Sequence, residues 1–180
     1  PEQMMEPRTD DLDGMIERKV IRVLTVYSKT FYFADKGVQR GGVYDLFRSF
    51  EEDLNKKLLR QGSLKQKHVK VRVVFIPVGR AELLPALAAG KGDIAASNIT
   101  ITEERRKLVD FSSPVYPNVD ELLVSGPDSP AVSSVDELSG KQVFVRKSSS
   151  YYESLTALNQ RFAAEQKPAV IIREAPEMLE

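Results

Sequence analysis

Apolar residues along the first half of the chain follow alternating strand and helix patterns. Continuous apolar runs predict strands at 20–27, 70–78 and 93–99. Apolar residues three and four positions apart predict helices at 12–19 and 44–60, and a third helix that starts late or bends at Pro85. The order strand, helix, strand, helix, strand builds a parallel sheet with crossover helices. The predicted fold class is therefore α/β.

The second half of the chain repeats this pattern after a connector. An apolar run predicts one more strand at 121–125, and the segment 126–134, rich in proline, serine and glycine, is typical of a linker. Beyond it we predict strands at 142–146 and 169–173, around a helix at 151–165 capped by Ser150. The expected organisation is a flexible N-terminal segment 1–11, a first lobe 12–125, a connector 126–134 and part of a second lobe 135–180.

Composition excludes several classes of function. The 180 residues carry 26 Lys and Arg against 26 Asp and Glu, so the chain lacks the cationic surplus of a nucleic-acid-binding protein. The absence of cysteine excludes disulfides and thiolate chemistry. His68 is the only histidine, so no multi-histidine metal site can form, and we expect it to be solvated among Lys65, Lys67 and Lys70. We predict no metal and no cofactor.

Signatures of catalysis and of membrane insertion are also missing. The chain has no G-x-x-x-x-G-K-[ST] or G-x-S-x-G motif, and its serines lack a plausible histidine base. The carboxylate pairs Glu51-Glu52 and Glu103-Glu104 are adjacent on predicted helices, so their side chains point in different directions. No apolar run is long enough to span a membrane, and residues 1–14 do not resemble an export signal. We expect no catalysis by this chain, and any signal or anchor to lie outside it.

The segment 92–116 is the most informative part of the sequence. A predicted strand ends in Ser97, Asn98 and Thr100, and ligands of open α/β sheets bind at such strand ends. Thr102 can cap a short helix carrying Arg105, whose guanidinium can bind a carboxylate through two parallel hydrogen bonds. Alternatively, the arginines at 105 and 106 are surface charges paired with the glutamates at 103 and 104.

The same segment resembles the bacterial extracellular solute-binding proteins of family 3. Their pattern of G-D, a polar strand end, I-T-x-x-R and V-D-F-S-x-P-Y is matched, in order, by residues 92–93, 97–100, 101–105 and 109–116. The resemblance covers roughly residues 12–180. It implies a periplasmic-binding-protein-like fold of type II, with two lobes built on mainly parallel sheets and a second lobe that is truncated in this chain.

The resemblance also implies a set of ligand-binding residues. Arg105 would clamp the α-carboxylate of a ligand, Thr100 would add a hydroxyl and a backbone donor, and Asn98 would offer its carbonyl to the ligand amine. Ser148 and Ser149 match a Gly-Ser-Thr loop whose backbone donors face the same carboxylate at a helix N-terminus.

Two features depart from the family pattern, and a group of aromatic residues has two possible roles. Lys147 stands where the family usually has glycine, and either adds a cation near the ligand or points to solvent. The sequence Val26-Tyr27-Ser28 follows the first strand, where relatives often carry an acid for the ligand amine. The aromatic residues Tyr27, Phe31 and Tyr32 could form a wall of the ligand cleft or pack in the core.

Within this family the sequence is most similar to the domain that precedes the catalytic domain in membrane-bound lytic transglycosylase F and its relatives, especially at 144–155. The resemblance implies a non-catalytic sensor in the periplasm or cell envelope that regulates a downstream transglycosylase. Such a sensor would bind a small carboxylate ligand, an amino acid or short cell-wall peptide, in the inter-lobe cleft. The alternatives are the stand-alone substrate-binding component of an amino-acid ABC transporter and a structural or partner-binding module with an empty cleft.

Overall fold

A computed structural model of the chain describes residues 6–64, 69–129 and 131–177. The chain divides into two compact units, with the boundary between Asp110 and Phe111. The sequence predicts a first lobe that includes residues 111–125 and a connector at 126–134. This assignment stays a prediction. The prediction for His68 and its neighbours Lys65 and Lys67 lies outside the described residues.

The first unit is built on a parallel sheet of three strands, with the strand Val20–Thr25 in the centre. These strands are β1 (Val20–Thr25), β4 (Arg72–Pro77) and β5 (Ile94–Ala95). The central strand pairs with β4 along its full length and with β5 at two positions, Val23 opposite Ile94 and Leu24 opposite Ala95. The predicted parallel α/β arrangement is confirmed. The third strand ends at Ala95 and is shorter than the predicted 93–99, and the left-handed backbone of Asn98 (φ 47°) is incompatible with a strand that continues to 99.

Four α-helices accompany this sheet. They are α1 (Leu12–Arg18), α2 (Gly42–Arg60), α3 (Leu83–Ala88) and α4 (Glu103–Arg106). As expected, Pro85 lies in the first turn of α3, which follows a 3-10 turn at Arg80–Glu82. The missing N–H of proline falls where a helix has no internal acceptor to lose.

A small antiparallel hairpin precedes α2. Its strands are β2 (Phe33–Asp35) and β3 (Val38–Arg40), and the turn between them uses left-handed backbone at Lys36 (φ 49°) and Gly37 (φ 82°). No hydrophobic pattern in the sequence indicates these strands, because they are three residues long and mostly exposed.

The main core lies where α2 packs against the sheet. Its buried members are aliphatic and aromatic residues from β1, β4, α2 and the adjoining loops: Ile21, Val23, Tyr32, Val43, Leu54, Leu58, Leu64, Val71, Val73 and Phe75. A second apolar cluster forms around Leu24, Leu83 and Ala86, where α3 packs against β1. The two clusters hold β1 between helices, and five of its six residues are buried.

Side chains of α2 also reach the outer edge of β4. The Glu51 carboxylate accepts the backbone N–H of Val73 (2.6 Å), and Asn55 accepts the N–H of Val71 (2.9 Å). Arg48 lies 2.8 Å from the Glu51 carboxylate and neutralises it. Backbone donors at the edge of a sheet need partners when they are buried, and α2 supplies them here.

A buried ion pair ties the first sheet to the N-terminal segment. The Arg22 guanidinium and the Asp93 carboxylate lie 2.7 Å apart, and both side chains are 2% exposed. Arg22 also donates to the carbonyls of Glu6 (2.8 Å) and Gly90 (3.0 Å). Arg8 donates its backbone N–H to the same Gly90 carbonyl at 2.9 Å. The residues just before α1 are thus held against the loop that leads into β5.

The second unit contains a parallel pair of strands and one long helix. They are β6 (Gln142–Val145), α5 (Ser150–Ala164) and β7 (Ile171–Glu174), preceded by a 3-10 turn at Val135–Leu138. Phe162 on α5 is fully buried and packs with Leu138 and Val170. This strand, helix, strand order agrees with the sequence prediction.

The strand predicted at 121–125 is wrong. These residues have no regular structure, and Leu122 and Val124 are 85% and 90% exposed. A strand requires another strand to accept and donate its backbone hydrogen bonds. Within the described residues, none pairs with this segment.

Candidate functional site

The first group of predicted site residues lies just beyond the carboxyl end of β5. Thr25, at the end of β1, donates its hydroxyl to the carbonyl of Ala96 at 2.8 Å and fixes the chain as it leaves β5. Ser97 follows and is 2% exposed, and its hydroxyl has no hydrogen-bond partner among the described residues. Asn98 comes next, exposed and in the left-handed conformation. This loop places a buried hydroxyl and an exposed amide at the carboxyl ends of the strands, where α/β proteins bind ligands.

Arg105 is anchored to the same loop by two contacts. The Thr102 side chain caps α4 and accepts the Arg105 backbone N–H at 3.3 Å, as the sequence predicted. One guanidinium nitrogen, Nη1, donates to the carbonyl of Thr100 at 2.9 Å. The structure therefore brings together Thr100 and Arg105. The neighbouring Glu104 forms an ion pair with Lys107.

The three predicted aromatic residues after β1 differ in exposure. Tyr32 is 4% exposed and stacks on Phe75, with 5.3 Å between ring centroids. Phe31 is half-buried against the main core. Tyr27 is 56% exposed, with its ring 5.7 Å from that of Tyr32. Of these three residues, only Tyr27 is exposed.

Burial first, and then the neighbouring tyrosines, raise the pKa of Tyr32 above its ordinary value, so its hydroxyl stays protonated at neutral pH.

The second group of predicted site residues lies at the start of α5. Ser149, rather than the predicted Ser150, is the N-cap, and its hydroxyl accepts the Tyr152 N–H at 3.3 Å. Both the backbone N–H and the hydroxyl of Ser149 donate to the carbonyl of Arg146. The donors of Ser149 are thus used within the chain, and its predicted contact with a ligand stays a prediction.

Ser148 directs its two donors to an acidic residue that the sequence analysis missed. Its backbone N–H donates to Oε1 of Glu177 at 3.0 Å, and its hydroxyl donates to Oε2 of the same carboxylate. No local pattern indicates this contact, because the two residues are 29 positions apart. Lys147, the family departure, is exposed and lies 3.5 Å from the Glu174 carboxylate.

Clustered acidic or histidine side chains and long apolar helices would indicate other kinds of site. Among residues 6–64, 69–129 and 131–177, no three acidic or histidine side chains are grouped so that they could hold a metal ion. No helix in the described part of the chain combines the length and apolar character needed to cross a membrane.

Comparison with known proteins places these residues in a family. A sequence model of the bacterial extracellular solute-binding proteins, family 3, matches residues 21–167. Among curated proteins, the membrane-bound lytic murein transglycosylase F of Aeromonas hydrophila is 32% identical over 136 residues, which are 75% of this chain and 24% of that protein. The chain thus spans about a quarter of that relative.

Solved structures agree with this match. The ancestral amino acid-binding protein AncCDT-1, a precursor of cyclohexadienyl dehydratase, is 31% identical, with a TM-score of 0.56 over 91% of this chain and 64% of that one. An ancestral arginine-binding protein bound to arginine is 26% identical, with a TM-score of 0.52 over 88% of this chain and 61% of that one. The fold is that of the type II periplasmic binding proteins, of which this chain covers a part. The chain belongs to the bacterial extracellular solute-binding proteins of family 3.

Proposed function

We propose that this chain binds a small carboxylate ligand, an amino acid or a short cell-wall peptide, as the non-catalytic sensor of a lytic murein transglycosylase in the cell envelope. The observation that carries the proposal is the anchoring of Arg105. Its guanidinium is held beyond the carboxyl end of β5 by a hydrogen bond to the Thr100 carbonyl, and the Thr102 cap fixes its backbone. A guanidinium held in this way is prepared to bind a carboxylate with little loss of side-chain freedom.

Each unit contains residues that we propose to contact a ligand. In the first unit Arg105 binds the carboxylate, Thr100 adds its hydroxyl and backbone donor, Asn98 offers its carbonyl, and Tyr27 contacts the rest of the ligand. In the second unit the N–H and hydroxyl of Ser148 are the anion donors, and Ser149 keeps the helix start in place.

The names of the curated relatives favour a transglycosylase over a transporter. Several of them are membrane-bound lytic murein transglycosylase F, including proteins of Aeromonas hydrophila, Methylobacillus flagellatus and Pseudomonas putida. In this role, ligand occupancy would bias the arrangement of the two lobes and, through it, the attached catalytic domain. A stand-alone transport receptor would carry the same carboxylate site but no lyase.

The test is ligand-induced thermal stabilisation of the protein. A panel of amino acids and muropeptides should raise the Tm of the wild type, and Arg105→Ala should weaken the affinity about 10- to 100-fold, since a hydrogen bond to a charged group contributes about 1.5–3 kcal/mol. Arg106→Ala is the matched control, because this exposed neighbour lies on the same short helix. Equal shifts in the wild type and Arg105→Ala would contradict the carboxylate clamp.

A further inference from the structure

The contact between Ser148 and Glu177 has the form of a carboxylate bound in an anion site. One residue supplies a backbone N–H and a hydroxyl, and each donor engages a different oxygen of the same carboxylate. The contact lies directly before the N-cap of α5, a helix of 15 residues. The partial positive charge at such a helix start favours an anion there.

The N-cap of α5 is Ser149 and not this carboxylate. Ser149 already accepts the Tyr152 N–H, and the turn before it is closed by the Ser149 N–H donating to Arg146. Ser148 directly precedes this N-cap, and its backbone N–H and hydroxyl donate to Glu177. Its two donors are the ones that the proposed function gives to the ligand.

Glu177 is held near these donors by the strand pair of the second unit. The last backbone bond between the two strand segments runs from the Ala175 N–H to the Val145 carbonyl, at 2.9 Å. Glu177 follows two residues later, and Ser148 lies three residues after Val145. A group tethered this closely acts at a high effective concentration.

We propose that Glu177 is an internal competitor of the ligand. Its carboxylate occupies the Ser148 donors, so a ligand carboxylate binds to the second unit only by displacing it. This inference rests on the proposed function. If Glu177 occupies the donors in nine of ten molecules, the apparent affinity of these donors for an external carboxylate falls about tenfold. The contact thus sets a threshold for the ligand concentration that the sensor detects.

The test uses acetate as the probe and follows the backbone amide of Ser148 by NMR. Glu177→Ala should lower the acetate concentration needed to saturate the Ser148 shift about tenfold. Glu165→Gln is the matched control, because Glu165 lies at the opposite end of α5 and pairs with Lys167, and it should leave the acetate response unchanged. The amide shifts of β6 and β7 report whether each variant keeps its fold.

Two outcomes would contradict the proposal that Glu177 competes with the ligand. Acetate could saturate Ser148 at the same or a higher concentration in folded Glu177→Ala than in the wild type. Alternatively, Ser148 could fail to respond to acetate in every folded variant, which would mean that its donors form no anion site. If Glu177→Ala does not fold, Glu177→Gln serves with the same criteria, since its side chain keeps the shape but loses the charge. The Arg105 experiment has a separate readout, so the failure of the proposed clamp is distinguishable from either outcome.

Discussion

Asn55 binds both backbone polar groups of Val71, the residue directly before β4. Its Nδ2 donates to the Val71 carbonyl at 2.9 Å, and its Oδ1 accepts the Val71 N–H at 2.9 Å. The second unit repeats this relationship. Asn159 on α5 donates to the Val170 carbonyl (3.0 Å) and accepts its N–H (2.7 Å), directly before β7. In both units, an asparagine on the crossover helix fixes the start of the strand that follows it.

The first prediction concerns this amide. Asn55→Ala leaves the N–H and carbonyl of Val71, which is fully buried, without their side-chain partner. An unsatisfied buried polar group costs about 1–3 kcal/mol, so the free energy of unfolding of the first unit should fall by at least this amount. Urea unfolding measures the loss, and amide hydrogen exchange should show faster exchange at Val71.

Asn159→Ala is the matched variant for the second unit. It should speed exchange at Val170 and leave Val71 unchanged, while Asn55→Ala should do the reverse. Slow exchange of Val71 in folded Asn55→Ala would contradict a role for this asparagine in holding the strand.

The second prediction is a pH dependence that originates at Asp93. Burial raises its pKa, but hydrogen bonds from Arg22 and Arg18 outweigh burial and hold the pKa below its ordinary value. A carboxyl whose pKa is lower in the folded state stabilises the fold above its unfolded pKa of about 3.9. This stabilisation should be lost as the pH falls from about 4 through the lower folded-state pKa.

Asp93→Asn should remove this part of the pH dependence. It also leaves the Arg22 guanidinium buried without its countercharge, at a cost of about 3–5 kcal/mol at pH 7. The control is Asp35→Asn, which removes an exposed carboxylate 3.7 Å from Arg40. Urea unfolding from pH 3 to 7 measures both variants, and an unaltered pH profile in Asp93→Asn would exclude Asp93 as the source.

The third prediction compares two glycines with the same backbone. Gly62 and Gly90 follow α2 and α3 with φ values of 69° and 70°. A Cβ at Gly62 meets nothing within 4 Å, whereas at Gly90 it lies 2.8 Å from the Arg8 carbonyl oxygen. Gly62→Ala should therefore lower the free energy of unfolding by about 1–2 kcal/mol, which is the strain of a left-handed backbone in alanine. Gly90→Ala should cost more, because the Arg8 backbone must move, and equal urea midpoints would argue against tight packing of the N-terminal segment.

Continuous apolar runs and helix signals predicted the centre of each unit well. The runs at 20–27 and 70–78 became β1 and β4, since strands covered by helices are apolar throughout. The position of Pro85 and the cap at Thr102 also follow from local rules, because each depends on only a few neighbouring residues. The apolar run at 121–125 forms no strand, since an apolar pattern identifies a strand only if a partner strand is present.

The candidate site was harder to predict where it depends on contacts between distant residues. The family motif indicates Arg105, but no motif predicts the hydrogen bond from its guanidinium to the Thr100 carbonyl. The burial of Tyr32 could not be separated from a role in a ligand wall, because an aromatic side chain suits both environments. The contact of Glu177 with Ser148 depends on β7 returning beside β6, and no spacing rule indicates it.

The side chains of α2 that accept backbone N–H groups of Val71 and Val73 also affect which strands could be added to the first sheet. An exposed strand edge can act as a template for a strand of another chain. At Val71 and Val73, the outward N–H groups of this edge are already bound by Asn55 and Glu51. In the described chain the other border of the sheet is β5. A strand that paired with the start of β4 would have to displace both contacts, so α2 protects this part of the sheet against edge-to-edge aggregation.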